Sequence, residues 1–65
     1  MKENDIVVSK TKIQCIEAGT QGVIVHIYEG RNACEVEFFD ENDQTIDVVT
    51  CKYDQLEILK YNIKQ

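Results

Sequence analysis

The segment Cys34-Glu35-Val36-Glu37-Phe38 alternates apolar and acidic residues without a break, and this period of two constrains the chain more than any other feature. Successive side chains of a strand point to opposite faces, so Cys34, Val36 and Phe38 belong to a core and Glu35 and Glu37 to water. The rest of the chain agrees with a sheet. Fifteen Val and Ile stand against two Leu, a bias toward side chains that lose rotamer freedom in a helix and pack well on a pleated surface.

Ile6-Val7-Val8 reads as a short first strand, opened by polar Asn4-Asp5, and a loop is expected from Ser9 to Gln21. Gly19-Thr20-Gln21-Gly22 sets two glycines directly before the second strand, Val23-Ile24-Val25-His26-Ile27-Tyr28. Gly19 suits a positive-φ turn, and Gly22 lets two backbones approach closely. Val25 and Ile27 are expected to face inward and His26 outward. Gly30 lies in the turn that leads to the alternating third strand. Phe39 to Gln44 reads as a hairpin turn, because Asp and Asn side chains bond their own backbone there. Thr45 to Cys51 is then the fourth strand, Lys52-Tyr53-Asp54-Gln55 one tight helical turn, and Leu56-Glu57-Ile58-Leu59 the last strand. The tail from Lys60 to Gln65 is expected to fray, with Tyr61 and Ile63 able to pack back.

A flat five-stranded sheet would leave one apolar face wet, so the sheet should curl. The expected fold is all-β: a five-stranded SH3-like small barrel with one short helical turn before the last strand. It forms a single domain over residues 1–65, with an ordered core at about 5–59. A chain this short hides only about 60% of the surface that its unfolded form exposes. An enzyme pocket needs roughly 300–1,000 Å³ and residues to support it, so a non-enzymatic role is expected.

Seven Lys and Arg against twelve Asp and Glu give a net charge of −5 and a pI near 4.6. Nucleic acid is bound chiefly by neutralising phosphates with basic side chains, so no nucleic-acid partner is expected. From Glu35 to Glu57 there are eight acidic residues and one basic one, Lys52; a charged partner for that region is positive. No apolar run approaches the roughly 18 residues of a membrane span, and the polar start resembles no signal peptide. A soluble, cytoplasmic protein without a membrane partner is expected. Cys15, Cys34 and Cys51 are an odd number at wide spacings, with one His26, which supports neither a disulfide framework nor a zinc site. Cys34 and Cys51 read as small buried hydrophobes, and a reactive thiol is the alternative.

Glu35 and Glu37 would stand about 7 Å apart on one face of the strand, with Asp40, Glu41 and Asp43 in the following turn. Nothing in the chain supplies the second pocket wall that acid-base catalysis would need, so no catalytic residue is assigned. Asp40-Glu41-Asn42-Asp43 lacks the spacing of a calcium loop and reads as a turn, so neither metal nor cofactor is expected. An outward His26 lies within reach of Glu35 or Glu37 across the sheet. Tyr28 and Tyr53, near loop ends, are placed to anchor a partner or to pack at the core edge.

Two stretches carry a family resemblance: Gly19 to Tyr28, and Glu35 to Thr45 followed by Val48-Val49-Thr50 and Asp54-Gln55-Leu56. With Asp5-Ile6-Val7-Val8 they resemble the small bacterial family catalogued as domain of unknown function 4926, over residues 5–59. The resemblance implies a short acidic protein encoded beside a second small protein, in the manner of antitoxins and immunity proteins. The glycine-then-valine strand more loosely resembles KOW-type barrels of ribosomal and transcription proteins. Those are usually basic around the glycines, where this chain has Glu17, Ala18, Gly19, Thr20 and Gln21.

The expected function is thus a protein-binding module of antitoxin or immunity type. Its face of Glu35, Glu37, Asp40, Glu41 and Asp43, with Tyr28 and Tyr53, would mask a basic protein partner. One alternative is a KOW-like nucleic-acid or ribosome-associated barrel using Lys10, Lys12 and the Gly19 to Gly22 loop. Another is a self-associating domain joined through an open sheet edge, with Cys15 modulating the contact.

Overall fold

The alternating apolar positions assemble into one antiparallel sheet because each strand has only one apolar face to bury. The computed structural model describes residues 1–61. It contains β1 (Ile6–Ser9), β2 (Gln21–Tyr28), β3 (Ala33–Phe39), β4 (Thr45–Lys52), a 3₁₀ turn (Tyr53–Gln55) and β5 (Leu56–Lys60). The strand order is β4-β3-β2-β1-β5. The all-β class, the five strands and the single helical turn before the last strand match the sequence expectation. β4 and β5 are the two edges, so the hydrogen-bonded ladder is open between them.

Cys34, Val36 and Phe38 of β3 are wholly buried, together with Val7, Ile24 and Cys51, and Val49 and Leu56 complete the same cluster. The glycine pair does what its spacing implies. Gly19 has φ +89° with open space around it, so only its backbone demands glycine. Gly30 likewise turns the β2–β3 connection at φ +76°. Gly22 is opposite Phe38 in register, and a Cβ there would stand 2.7 Å from Val36 Cγ1, 2.8 Å from the Glu37 carbonyl and 2.9 Å from Phe38 Cδ1.

The long loop departs from expectation. Ser9 and Gln21, taken as its ends, are strand residues. Ile13 and Ile16 belong to the core. They face each other through paired backbone bonds of 2.9 and 2.8 Å, across a turn in which Gln14 takes φ 52°. Buried Ser9 holds the loop base: its hydroxyl donates to the Glu17 carbonyl at 2.8 Å and accepts from the Thr20 amide at 3.1 Å. Such a hydroxyl satisfies two backbone groups that burial would otherwise leave costly.

Val25 also departs from expectation, because Ile24 pairs with Val36 and His26 with Glu35, leaving Val25 as the extra residue of a bulge. A bulge breaks the period of two, so Val25 is exposed and not inward, while His26 is exposed as expected. Lys60 is the last residue of β5 and not part of a frayed tail. Tyr61 is exposed; the expected packing of Ile63 lies outside the described residues.

Cys34 and Cys51 are register partners across β3 and β4. Both are free and buried, whereas Cys15 is exposed. Burial pushes the Cys34 thiol up to about 11, and burial, then the neighbouring Cys34, does the same to Cys51.

Two outcomes follow from this packing. Gly22→Ala lowers the unfolding free energy by about 1–3 kcal/mol through overpacking, measured by urea denaturation; an unchanged midpoint would refute the close-approach account. A thiol reagent such as dithiobisnitrobenzoate labels Cys15 in the native protein and reaches Cys34 and Cys51 only on unfolding, as read by peptide mass mapping.

Candidate functional site

Residues directly opposite one another in an antiparallel pair share a face, so the register defines what the outer side of the sheet displays. One row crosses all five strands: Val48 on β4, Glu37 on β3, Val23 on β2, Ile6 on β1 and Lys60 on β5. A second row holds Thr50, Glu35 and His26. Glu35 and Glu37 therefore face outward, as the alternation requires.

Each of these carboxylates is held by the neighbouring strands. Tyr28 Oη and Thr50 Oγ1 both donate to Glu35 Oε2, each at 2.5 Å, and Thr45 Oγ1 donates to Glu37 Oε2 at 2.6 Å. The His26 ring stands edge-on to Tyr28, with centroids 4.8 Å apart. Hydrogen bonds from Thr50 and then Tyr28 hold the Glu35 carboxyl below the usual range, with a smaller contribution from His26. The bond to Glu35, together with burial, raises the Tyr28 phenol. Charge at Glu35 is thereby fixed and oriented, a state suited to meeting a cation and not to exchanging protons near neutral pH.

Several apolar side chains of the sheet are exposed, and of these Val48 is the register partner of Glu37 and Val25 lies in the bulge beside the His26–Glu35 pair. Val25 (42% exposed), Ile46 (45%), Val48 (48%) and Leu59 (56%) are all uncovered. Three of the four are the extra residues of bulges: Val25 on β2, Ile46 on β4 and Leu59 on β5. Bulges re-aim side chains: the extra residue Val25 lets Ile24 and Ile27 both turn toward the core while Val25 and His26 stay exposed.

The five acidic residues grouped in the sequence do not play one role. Asp40 caps its own turn, accepting from the amides of Asn42 at 2.8 Å and Gln44 at 3.0 Å, and Asp43 takes the positive φ of 61°. The carboxylates of Glu41 and Asp43 project from that turn with no hydrogen-bond or ion-pair partner among the described residues. Glu41 borders a groove of about 450 Å³ between the 18–21 segment and the β3–β4 turn, lined also by Phe39 and Ile46, and Asp43 borders the depression next to it. That depression, of about 220 Å³ and also lined by Phe39, Asp40 and Glu41, leads from the groove past Val23. Tyr53 is half-buried and packs against the core, and its amide donates to the Asn32 carbonyl at 2.9 Å. Thr45, Thr50, Val25 and Val48 belong to the site but could not be selected from the sequence, because cross-strand register and bulge positions decide their neighbours.

Among the described residues no group of three or more His, Cys, Asp or Glu is arranged to hold a metal ion. Among them, too, no helix is long and apolar enough to cross a membrane.

A sequence profile described as Domain of unknown function (DUF4926) matches residues 3–58. The chain belongs to the DUF4926 family. The match takes in every strand up to Ile58 of β5, and so the glycine pair, the Glu35 cluster and the acidic turn of this DUF4926 domain. No curated protein and no solved structure matches the chain.

The Glu35 cluster has a pH signature. Its carboxyl titrates below the ordinary value of about 4.3. A depressed folded value adds stability above the unfolded pKa that is lost as pH falls through the folded one. Thr50→Val, which removes the principal cause, moves the Glu35 titration upward toward that ordinary value, as followed by carboxyl carbon NMR. An unmoved titration would show that Thr50 does not hold the carboxylate.

Proposed function

We propose that this DUF4926 chain is a non-enzymatic protein-binding module, of antitoxin or immunity type, whose acidic outer face masks a basic partner. The observation that carries this reading is the composition of that face. Preset carboxylates at Glu35 and Glu37 stand beside exposed Val25 and Val48 and next to Tyr28. Interfaces combine an apolar and aromatic centre with charges that steer and align the partner. The net charge of −5 adds long-range attraction for a basic protein. A small SH3-like barrel in a cytoplasmic setting, where the three thiols stay reduced, belongs to the same proposal.

The nucleic-acid alternative finds little support around the glycine loop. Lys12 Nζ lies 3.5 Å from Glu17 Oε2, so that lysine already faces an acid. For edge-to-edge assembly, β4 offers a blunted edge: the Val48 amide donates to Asp47 Oδ1 at 2.8 Å, and the Cys15 thiol donates to Asp47 Oδ2 at 3.8 Å. Bulges and charges of this kind discourage strand addition.

The test compares two double variants of the tagged chain in pull-downs at moderate salt. Glu35→Lys with Glu37→Lys and Glu3→Lys with Glu29→Lys change net charge equally: each reversal adds two, so −5 becomes −1. The first pair is expected to weaken capture of the basic partner about 100-fold, near 3 kcal/mol, and the second far less. Equal losses would reduce the interaction to net charge and remove the face from the mechanism.

A further inference from the structure

We propose that the groove between the 18–21 segment and the β3–β4 turn holds an extended basic segment of the partner. An apolar side chain of that segment would rest on Phe39 and Ile46, and a lysine or arginine would lie against Glu41 and Asp43. The inference rests on the protein-binding reading above and names a second place, with its own chemistry, where the partner is held.

Three observations lead to this occupant. The first is shape: an open groove of about 450 Å³ is extended by the adjoining depression along the surface past Val23. Val23 belongs to the outward row that includes Glu37 and Val48. A partner lying on the outer face could therefore continue into the groove without leaving the surface, as an elongated chain and not as a compact small molecule.

The second is the floor. Phe39 pairs with Thr45 and Phe38 with Asp47, so Ile46 is left over in a bulge. Ile46, 45% exposed, lines the groove beside half-buried Phe39. An exposed apolar floor gains from being covered, by about 25 cal/mol for each Å² removed from water.

The third is charge. Asp40, Glu41 and Asp43 line the groove and its extension, and among the described residues no Lys or Arg does. Asp40 is engaged by its turn amides, whereas among the described residues the carboxylates of Glu41 and Asp43 have no hydrogen-bond or ion-pair partner, Asp43 bonding the Asp40 carbonyl only through its amide. An acidic segment would be repelled, and an uncharged apolar one would leave the rim unanswered. A segment alternating apolar and basic side chains satisfies both floor and rim. Addition of that segment to β4 as a further strand is disfavoured, since the Val48 amide is already taken by Asp47.

The experiment titrates the isotopically labelled 65-residue chain with a capped Arg-Leu-Arg-Leu-Arg-Leu peptide and follows amide shifts. The expected shifts concentrate at residues 18–21 and 39–46. Ile46→Lys, a change at an exposed position, weakens binding about ten-fold or more, as does Glu41→Gln with Asp43→Asn, in which Asn keeps the tolerance for positive φ. Glu29→Gln, a change at an exposed position away from the groove, leaves peptide affinity unchanged. Equal binding of an Arg-Gly-Arg-Gly-Arg-Gly peptide would overturn the proposal, since charge alone would suffice. So would shifts centred on Glu35 and Thr50, or none at roughly 1 mM peptide. The basic partner itself separates the two readings. Retention of that partner by Ile46→Lys refutes the groove while leaving the acidic face standing, and failure of the wild-type chain to hold any basic protein refutes the face first.

Discussion

Phe38 is the largest side chain wholly hidden in this protein, and the contact that makes room for it is with a residue that has no side chain. Gly22 lies opposite Phe38 across β2 and β3, close enough that a single added carbon would meet Val36, Phe38 and the β3 backbone at under 3 Å. Protein interiors are packed to a density at which one methylene is felt. The start of β2, the burial of β3 and the position of the long loop that delivers the chain to Gly22 thus depend on one another. The loop answers with its own anchors, Ile13 and Ile16 in the core and Ser9 at its base.

The surface is shaped by departures from regular pairing. Three bulges, at Val25, Ile46 and Leu59, each insert one residue opposite none. Each of these residues presents an exposed apolar side chain. Large uncovered apolar groups mark candidate contact surfaces, and Val25 beside Glu35 and Ile46 in the groove with Glu41 are the physical basis for the proposed contacts.

The acidic residues divide into those the fold uses and those it leaves outward. Glu35 and Glu37 are oriented by hydroxyls from β2 and β4, and Asp40 is consumed in closing its turn. The Glu41 and Asp43 carboxylates remain unengaged beside the groove and its extension. A preoriented carboxylate surrenders little conformational freedom on meeting a cation, which favours the sheet face as a fixed contact. In the proposed complex the turn acids would act by charge and reach.

Much of the architecture was legible in the chain. Period-two alternation identified β3 and its inward residues, because only one phase buries Cys34, Val36 and Phe38. The two glycines marked a positive-φ turn and a close approach, because no other residue meets those demands cheaply. The turn residues between Phe39 and Thr45 separated two strands for equally local reasons. The sequence by itself therefore determined the elements, their order and the outward direction of Glu35 and Glu37. Tertiary structure decided which hydroxyls meet those carboxylates, that Val25 and Ile46 turn outward, and that Ile13 and Ile16 leave an apparently polar loop to enter the core. These are consequences of register and of packing between residues distant in sequence, and a shift of one residue in pairing exchanges the faces of a strand. Local pattern carries no record of that choice.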